Sequence, residues 1–493
     1  MRTIAFLLSG ALFGAFSQTP CDGLKALSLP DTSITAAESV PAGPLRNPTA
    51  PAAAGQPPML PAHCRVAAVV KPSADSHIEM EVWMPAADWN GKCQAVGNGG
   101  LAGSINFAAM AAALQEGYAT ASTDTGHKGP SASFAAGHPE KVVDYAYRAV
   151  HEMAVKSKAI LTAYYGRGPR LSYWNSCSNG GRQGLMEAQR YPEDFDGIIA
   201  GASGINRVGI SAWYVALAAA IGRDPASFVP APKTALLNQA VLAACDALDG
   251  VKDGLLNNPL LCHFDPATLL CRGGDADNCL TAPQVEAVKM AYAPARKKTG
   301  ELIYPGMPPG SELGWSFLAG GEPGEVRIGT FKYVLHQDPK WDWRAFDLDR
   351  DTALAEEKAG YLNAINPDLT AFQARGGKLL MYHGWNDPQN SAQNSINYYS
   401  SVLAKMGQKQ EDWLRLFLAP GMGHCRGGPG PDQFNAMGAL ERWRESGVAP
   451  AQITASHVSG SRVDMTRPLC PFPQVAKWTG VGSTKDAANF VCK

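Results

Sequence analysis

The sequence predicts an α/β fold in which a mostly parallel sheet carries helices on both faces and is interrupted by one large insertion. Three observations carry this. Short apolar runs with strand character alternate with helix-period segments from about residue 65 to residue 445. A serine, an aspartate and a histidine follow closely on such runs, at Ser178, Asp387 and His424. Ser178 and Asp387 are also separated by far more chain than the one or two strand-helix units a bare fold places there.

Taken in order, Arg65 to Lys71 and His77 to Trp83 read as strands, the second alternating through Ile78, Glu79, Met80, Glu81 and Val82. Lys92 to Val96 and Tyr118 to Ser122 continue the series. Val142 to Tyr165 is the clearest helix: Val143, Tyr147, Val150, Ala154, Ile160 and Leu161 recur at helical spacing, and Gly166 stops it. Leu171 to Trp174 is a strand that leads through Ser178 into a helix beginning near Arg182, and Gly197 to Ala200 is the next strand. Beyond the insertion, Lys378 to Tyr382 and Trp413 to Leu418 read as buried strands, with helices from Ala392 to Met406 and from Phe434 to Glu445. Pro41 to Pro61, rich in Pro and Ala, suits neither a regular helix nor a central strand and is expected to run extended over the surface.

At 493 residues the chain can bury a sizeable core, and a formal charge of -1 with 18% charged residues argues against nucleic acid or an anionic membrane surface as a partner. Arg2 followed by an apolar run to Phe16, with the small-x-small pattern Ala15-Phe16-Ser17, reads as a signal peptide over residues 1–17. The run is too short to span a membrane, so the expectation is a soluble protein, secreted or periplasmic. In that compartment disulfides persist. Of the eleven cysteines, position suggests the pairs Cys21 with Cys64, Cys177 with Cys425, Cys245 with Cys262, Cys271 with Cys279, and Cys470 with Cys492, although spacing does not prove connectivity. Cys93, inside a strand, is expected to be the unpaired, buried thiol.

Ser178 lies in Asn175-Ser176-Cys177-Ser178-Asn179-Gly180-Gly181, between strand and helix, where a nucleophile elbow puts its serine. The usual first glycine of that elbow is replaced by Ser176; the second, Gly180, is present. A serine hydroxyl needs a neighbouring imidazole to take its proton, and His424, on the loop Pro420-Gly421-Met422-Gly423, is placed to reach it. Asp387 would orient that imidazole. The chain order Ser178, Asp387, His424 is the order of the α/β-hydrolase fold. A disulfide between Cys177 and Cys425 would hold serine and histidine together. The oxyanion donors are expected to be the amides of Asn179 and, from the loop Gly97-Asn98-Gly99-Gly100, of Gly100 in preference to Gly99.

The catalytic domain is therefore assigned to residues 18–205 and 375–493, and the insertion, residues 206–374, to a lid. The lid carries Trp213, Tyr214, Trp315, Phe317, Phe331, Tyr333, Trp341 and Trp343, which fits a pocket for a flat apolar group, with most of these rings forming lid core. It also carries Asp246, Asp249 and Asp253, spaced like a calcium loop; an Asp/Gly-rich solvated turn is the competing reading.

Together Gly97-Asn98-Gly99-Gly100, Ser122-Thr123-Asp124-Thr125-Gly126-His127, Tyr147-Arg148-Ala149-Val150-His151-Glu152, Cys177-Ser178-Asn179-Gly180-Gly181-Arg182-Gln183, Asp387 and His424-Cys425 resemble the tannase and feruloyl esterase family, which includes the mono(2-hydroxyethyl) terephthalate hydrolases. The resemblance implies Ser178 as nucleophile, His424 as base and Asp387 as acid, a disulfide joining the nucleophile and base segments, and a structural calcium ion in the lid. The calcium ligands it implies are the side chains of Asp246, Asp249 and Asp253 and the carbonyls of Val251 and Leu255. The expected function is a secreted serine esterase acting on a small aromatic ester, ferulate-type first. Gallate and terephthalate half-esters are alternatives, and a non-catalytic binding module is the alternative of a different class.

Overall fold

The computed structural model describes residues 18–45 and 57–493; the expected leader at residues 1–17 lies outside the described residues, as does the middle of the Pro/Ala-rich stretch. Nine strands form the main sheet: β1 (Thr32–Val40), β2 (His63–Val70), β3 (Ile78–Pro85), β4 (Lys92–Val96), β5 (Ala119–Thr123), β6 (Leu171–Cys177), β7 (Gly197–Gly201), β8 (Lys378–Gly384) and β9 (Leu414–Ala419). Their spatial order is β1-β2-β3-β5-β4-β6-β7-β8-β9. The β1, β2, β3 and β5 pairings are antiparallel, and every pairing from β5 to β9 is parallel. This is the mostly parallel sheet the sequence predicts.

The period-2 geometry of strands sends neighbouring residues to opposite faces, and both faces of the central strands are apolar. Trp174, Ile198, Leu379, Met381, Leu414 and Leu416 enter one core, shared with α2 (Ala149–Tyr165), α3 (Asn179–Arg190) and α6 (Ala392–Met406). Tyr173, Ile199, Leu380 and Phe417 enter the other, against α1 (Phe107–Gln115) and α7 (Ala436–Ser446). Two features depart from the expectation. β1 is an added edge strand whose residues are all at least partly exposed, so its sequence lacks an apolar stripe. The helix expected from Val142 is broken by a π turn at Asp144–Arg148, which the apolar spacing tolerates without signalling it.

The insertion has its own core, formed by residues between 208 and 355 around Trp213, Val215, Trp315, Phe331 and Trp343. It opens with α4 (Arg207–Ile221) and α5 (Ala231–Cys245). Ala364, Leu369 and Phe372 pack into the main core instead, so the chain rejoins the main body before the boundary assigned at 374. All five expected disulfides are formed. Cys93 is free and buried, and burial pushes its thiol up to about 12. Among the described residues no helix is long and apolar enough to cross a membrane.

Candidate active site

Ser178 sits between β6 and α3 with φ 63° and ψ -124°, a conformation that costs a non-glycine residue about 1–3 kcal/mol and persists only where the surroundings hold it. The hold is visible: Ser178 N donates to Gly201 O at 2.8 Å, and Ser178 O accepts from Arg182 N at 3.1 Å. A Cβ on Gly180 would overlap the Ser176 side chain, and one on Gly181 would overlap the Gly201 carbonyl. Ser176 thus takes the place of the usual small residue by using the space that Gly180 leaves free.

Asp387 follows β8, and His424 lies on the loop after β9. His424 Nε2 is 2.8 Å from Ser178 Oγ, and Nδ1 is 2.7 Å from Asp387 Oδ2. These partners assign the tautomer: Nδ1–H donates to the carboxylate, and Nε2 accepts from the hydroxyl. The Cys177–Cys425 disulfide, with a Cα separation of 6.0 Å, ties the residue before the serine to the residue after the histidine. The structure thus brings together the three residues that lie apart in the sequence.

Asp387 is fully buried, and Oδ1 accepts from the amides of Gln389 at 2.8 Å and Asn390 at 3.0 Å. Burial alone would raise its carboxyl, but hydrogen bonds from His383 and His424 outweigh that and hold it well below the usual carboxylate range. His383 is the residue that sequence reasoning missed. Its Nε2 lies 3.1 Å from Asp387 Oδ2 and 3.0 Å from Asn390 O, and its Nδ1 lies 2.8 Å from Ser395 Oγ. The available signal was a histidine at the end of an apolar strand, four positions before the acid.

Above Ser178 opens a cavity of about 390 Å³ whose wall includes Gly99, Gly100, Asn179, Arg207, Val326 and Arg327. Asn179 opens α3, so its amide has no partner within the helix. Gly100 has φ 59°, and its loop is anchored to α3 where Gln183 Nε2 donates to Asn98 Oδ1 at 3.0 Å. Asn98 Nδ2 in turn donates to Thr123 O at 2.6 Å, fastening the loop to the end of β5. A second cavity of about 580 Å³ shares Val326, Arg327 and Gln389 with the first and is lined by Tyr214 and Phe317. Of the other lid rings, Trp213, Trp315, Phe331 and Trp343 are buried in the lid core.

The three aspartates of the lid loop are gathered by backbone amides. Asp246 accepts from Asp253 N and Gly254 N at 3.3 and 3.1 Å, and Asp249 from Val251 N and Asn257 N at 3.0 and 3.4 Å. Asp253 Oδ2 accepts from the buried Arg467 at 2.6 Å, which joins the lid to the strand Arg462–Leu469 of the main body. Burial, and then the charges of Asp253 and Asp246, raise the Asp249 carboxyl. Three carboxylates in one loop, of which Asp253 alone is paired with a guanidinium, fit a divalent cation in charge and chemistry. They are not drawn into one cluster: among the described residues, the group of three whose ligand atoms lie within 4.8 Å of one another is His151, Glu187 and Asp194.

Comparison with known proteins bears on this site. A family model described as tannase and feruloyl esterase matches residues 64–493. An uncharacterized esterase of Xanthomonas campestris is 38% identical over 548 residues, covering 100% of this chain and 94% of that protein. A probable feruloyl esterase B-2 of Neosartorya fischeri is 34% identical over 454 residues, 87% of this chain and 86% of its own. The crystal structure of feruloyl esterase B from Aspergillus oryzae superposes with a TM-score of 0.91 at 32% identity, covering 96% of this chain and 99% of that one. Tannin acyl hydrolase from Aspergillus niger, with a TM-score of 0.79 at 22% identity over 97% of this chain and 93% of that one, shares the fold. The fold is the α/β-hydrolase fold.

Proposed function

Because this chain belongs to the tannase and feruloyl esterase family, and is therefore a carboxylic-ester hydrolase, we propose that it cleaves esters of hydroxycinnamic-type aromatic acids through an acyl-enzyme on Ser178. The observation that carries the reading is the hydrogen-bonded line from Asp387 through both nitrogens of His424 to Ser178 Oγ, at 2.7 and 2.8 Å. His424 Nε2 takes the hydroxyl proton as Oγ bonds to the ester carbonyl carbon. Negative charge moves onto the former carbonyl oxygen, for which the amides of Asn179 and Gly100 are the donors. The imidazolium then protonates the departing alcohol oxygen as its bond to carbon breaks, leaving the acyl group on Ser178. Water gives a proton to His424 and adds to the acyl carbon; the acid leaves, and Oγ recovers the proton. Asp387, kept ionised by its hydrogen bonds, stabilises the imidazolium at each stage. Tyr214 and Phe317, in the adjoining cavity, offer an aromatic group a surface to lie against.

The proposal extends to a calcium ion held by the side chains of Asp246, Asp249 and Asp253 and the carbonyls of Val251 and Leu255. Such an ion supplies positive charge to a loop that now has Arg467 as its cation. It also extends to export, with residues 1–17 removed and the protein periplasmic or secreted, an environment that suits five disulfides.

The test is hydrolysis of methyl ferulate, methyl gallate and mono(2-hydroxyethyl) terephthalate by purified protein, with Ser178→Ala as control. Methyl ferulate is expected to be the best of the three and to lose turnover in the variant. A Ser178→Ala protein with activity near the parent level would remove Ser178 as nucleophile, and a strong preference for either other ester would replace ferulate as the acyl group.

A further inference from the structure

Away from the catalytic cavity, three ligand-bearing side chains converge. His151 stands in the first turn of α2, Glu187 in the last turn of α3, and Asp194 in the segment that joins α3 to β7. One donor atom of each lies within 4.8 Å of the other two, and His151 Nδ1 is 2.7 Å from Asp194 Oδ2.

Glu187 is the unsatisfied member. It is 1% exposed, and neither of its carboxylate oxygens has a hydrogen-bond partner. A carboxylate is almost never buried in that condition. The cations near it are engaged elsewhere. Lys158 donates to Glu193 O at 3.1 Å and sits 3.8 Å from Asp194 Oδ1, and Arg190 lies over the Tyr147 ring at 4.3 Å. Burial, and then the charge of Asp194, raise the Glu187 carboxyl well above its ordinary range. Two such carboxylates relieve their repulsion by sharing either a proton or a cation. A proton held between them satisfies one Glu187 oxygen and leaves the other bare, whereas an ion can take both oxygens of a carboxylate.

The third donor favours the ion and narrows its kind. An imidazole nitrogen is foreign to calcium and magnesium sites, which are built from oxygens, and suits zinc and its transition-metal neighbours. Ligand atoms about 2 Å from a tetrahedral ion lie about 3.3 Å apart, between the 2.7 Å of the His151–Asp194 contact and the 4.8 Å that bounds the group. The cluster is open on one side for entry and for a water ligand, since the His151 side chain is 24% exposed while that of Asp194 is 2%. The Tyr191 ring stacks on the imidazole with centroids 3.8 Å apart and fixes its plane, as outer partners do at metal centres.

We propose that His151, Glu187 and Asp194 form a structural site for a divalent transition-metal ion of the zinc kind, with water completing its coordination. The two carboxylates match the charge of the ion, and binding sends to solvent the proton that Glu187 otherwise holds. The ion ties α2 and the segment before β7 to the far end of α3. Glu187 is nine residues beyond Ser178, about 13 Å along the helix, so the ion takes no part in ester cleavage. The site is distinct from the aspartate loop of the lid and does not depend on the esterase reading.

The test uses the full chain, stripped with a chelator and returned to buffer with excess calcium so that the lid loop is not what responds. Zinc chloride is then titrated by calorimetry, and melting is followed with and without zinc. The wild type is expected to take up one zinc per chain at this site and to melt higher with it. Glu187→Gln, whose amide can donate to Asp194 in the metal-free protein, is expected to bind that zinc at least 10-fold more weakly and to lose the rise in melting temperature. Exposed histidine–aspartate pairs such as His138 with Asp75 and His457 with Asp464 are the same in both proteins, so the difference isolates the cluster. A wild type that binds no zinc, or a binding curve and melting shift unchanged in Glu187→Gln, would overturn the site and leave a shared proton as the occupant. Should Glu187→Gln fail to fold, His151→Gln, changed on the open side of the cluster, repeats the comparison with the same two outcomes.

Discussion

Replacing both Cys177 and Cys425 with alanine removes the covalent tie between the strand that ends at Ser178 and the loop that carries His424. The disulfide spans a sequence separation of 248, and loop-closure entropy puts its effect on the unfolded chain at about 5.5 kcal/mol as an upper value. The two disulfides nested inside that loop shorten it by too little to change a logarithm. On the folded side, the positive-φ turn at Ser178 would then rest on the hydrogen bonds to Gly201 and Arg182, and His424 on its bond to Asp387. A displacement of about 1 Å between reacting groups costs about 100-fold in rate, so kcat on methyl ferulate is expected to fall by about 10- to 100-fold with a smaller change in KM. Melting should move down by several degrees in the same variant. Cys93→Ala serves as the control, since that thiol lies in the sheet core away from the site. A double variant with kcat/KM within twofold of the parent and an unchanged melting curve would refute the claim that this disulfide sets the serine-histidine distance.

Asp387→Asn should lower kcat by about 10⁴-fold through loss of the imidazole orientation, measured by steady-state hydrolysis. Asp387 also gives a pH signature: its folded-state carboxyl is depressed, so its stabilising contribution is present above the unfolded value of about 3.9 and is lost as pH falls through the depressed native value. The stability difference between wild type and Asp387→Asn is therefore expected to be flat from about pH 5 to 7 and to shrink under stronger acid; a difference growing toward low pH would contradict the assignment. Chelation with EDTA should lower the melting temperature and added calcium should restore it, by about 2.7 kcal/mol at 100 times the dissociation constant, whereas coincident melting curves would remove the calcium proposal. Gly180→Ala drives a methyl into the Ser176 side chain and should destabilise the elbow by about 1–3 kcal/mol with loss of turnover; paired Ser176→Gly, which opens that space, should restore part of it.

Much of this architecture was legible because strand and helix periods are local. The doubly apolar strands around Ile198-Ile199 and Leu379-Leu380-Met381 announce a sheet covered on both faces, and the helix Ala392–Met406 was bounded correctly. β1 escaped notice because an edge strand with part-exposed residues has no apolar stripe to detect. The π turn at Asp144–Arg148 escaped because one extra residue in a turn leaves the apolar spacing nearly intact. That Ala364, Leu369 and Phe372, inside the stretch assigned to the lid, join the main core is a matter of packing that no local pattern signals.

The sequence by itself determined the order of the central strands and helices and set Ser178, Asp387 and His424 just past strand ends, because each is written in short-range pattern; the cysteine partners it suggested became pairs only in the fold. Only the tertiary structure decided what those residues meet. His383 reaches Asp387 because β8 and its turn fold the two side chains together, and Arg207, at the start of the lid, lines the same cavity as Ser178 although 29 positions separate them in the chain. Polar contacts of that kind depend on distance and burial in three dimensions, and a buried charge without a partner cannot be recognised until every group around it has been placed.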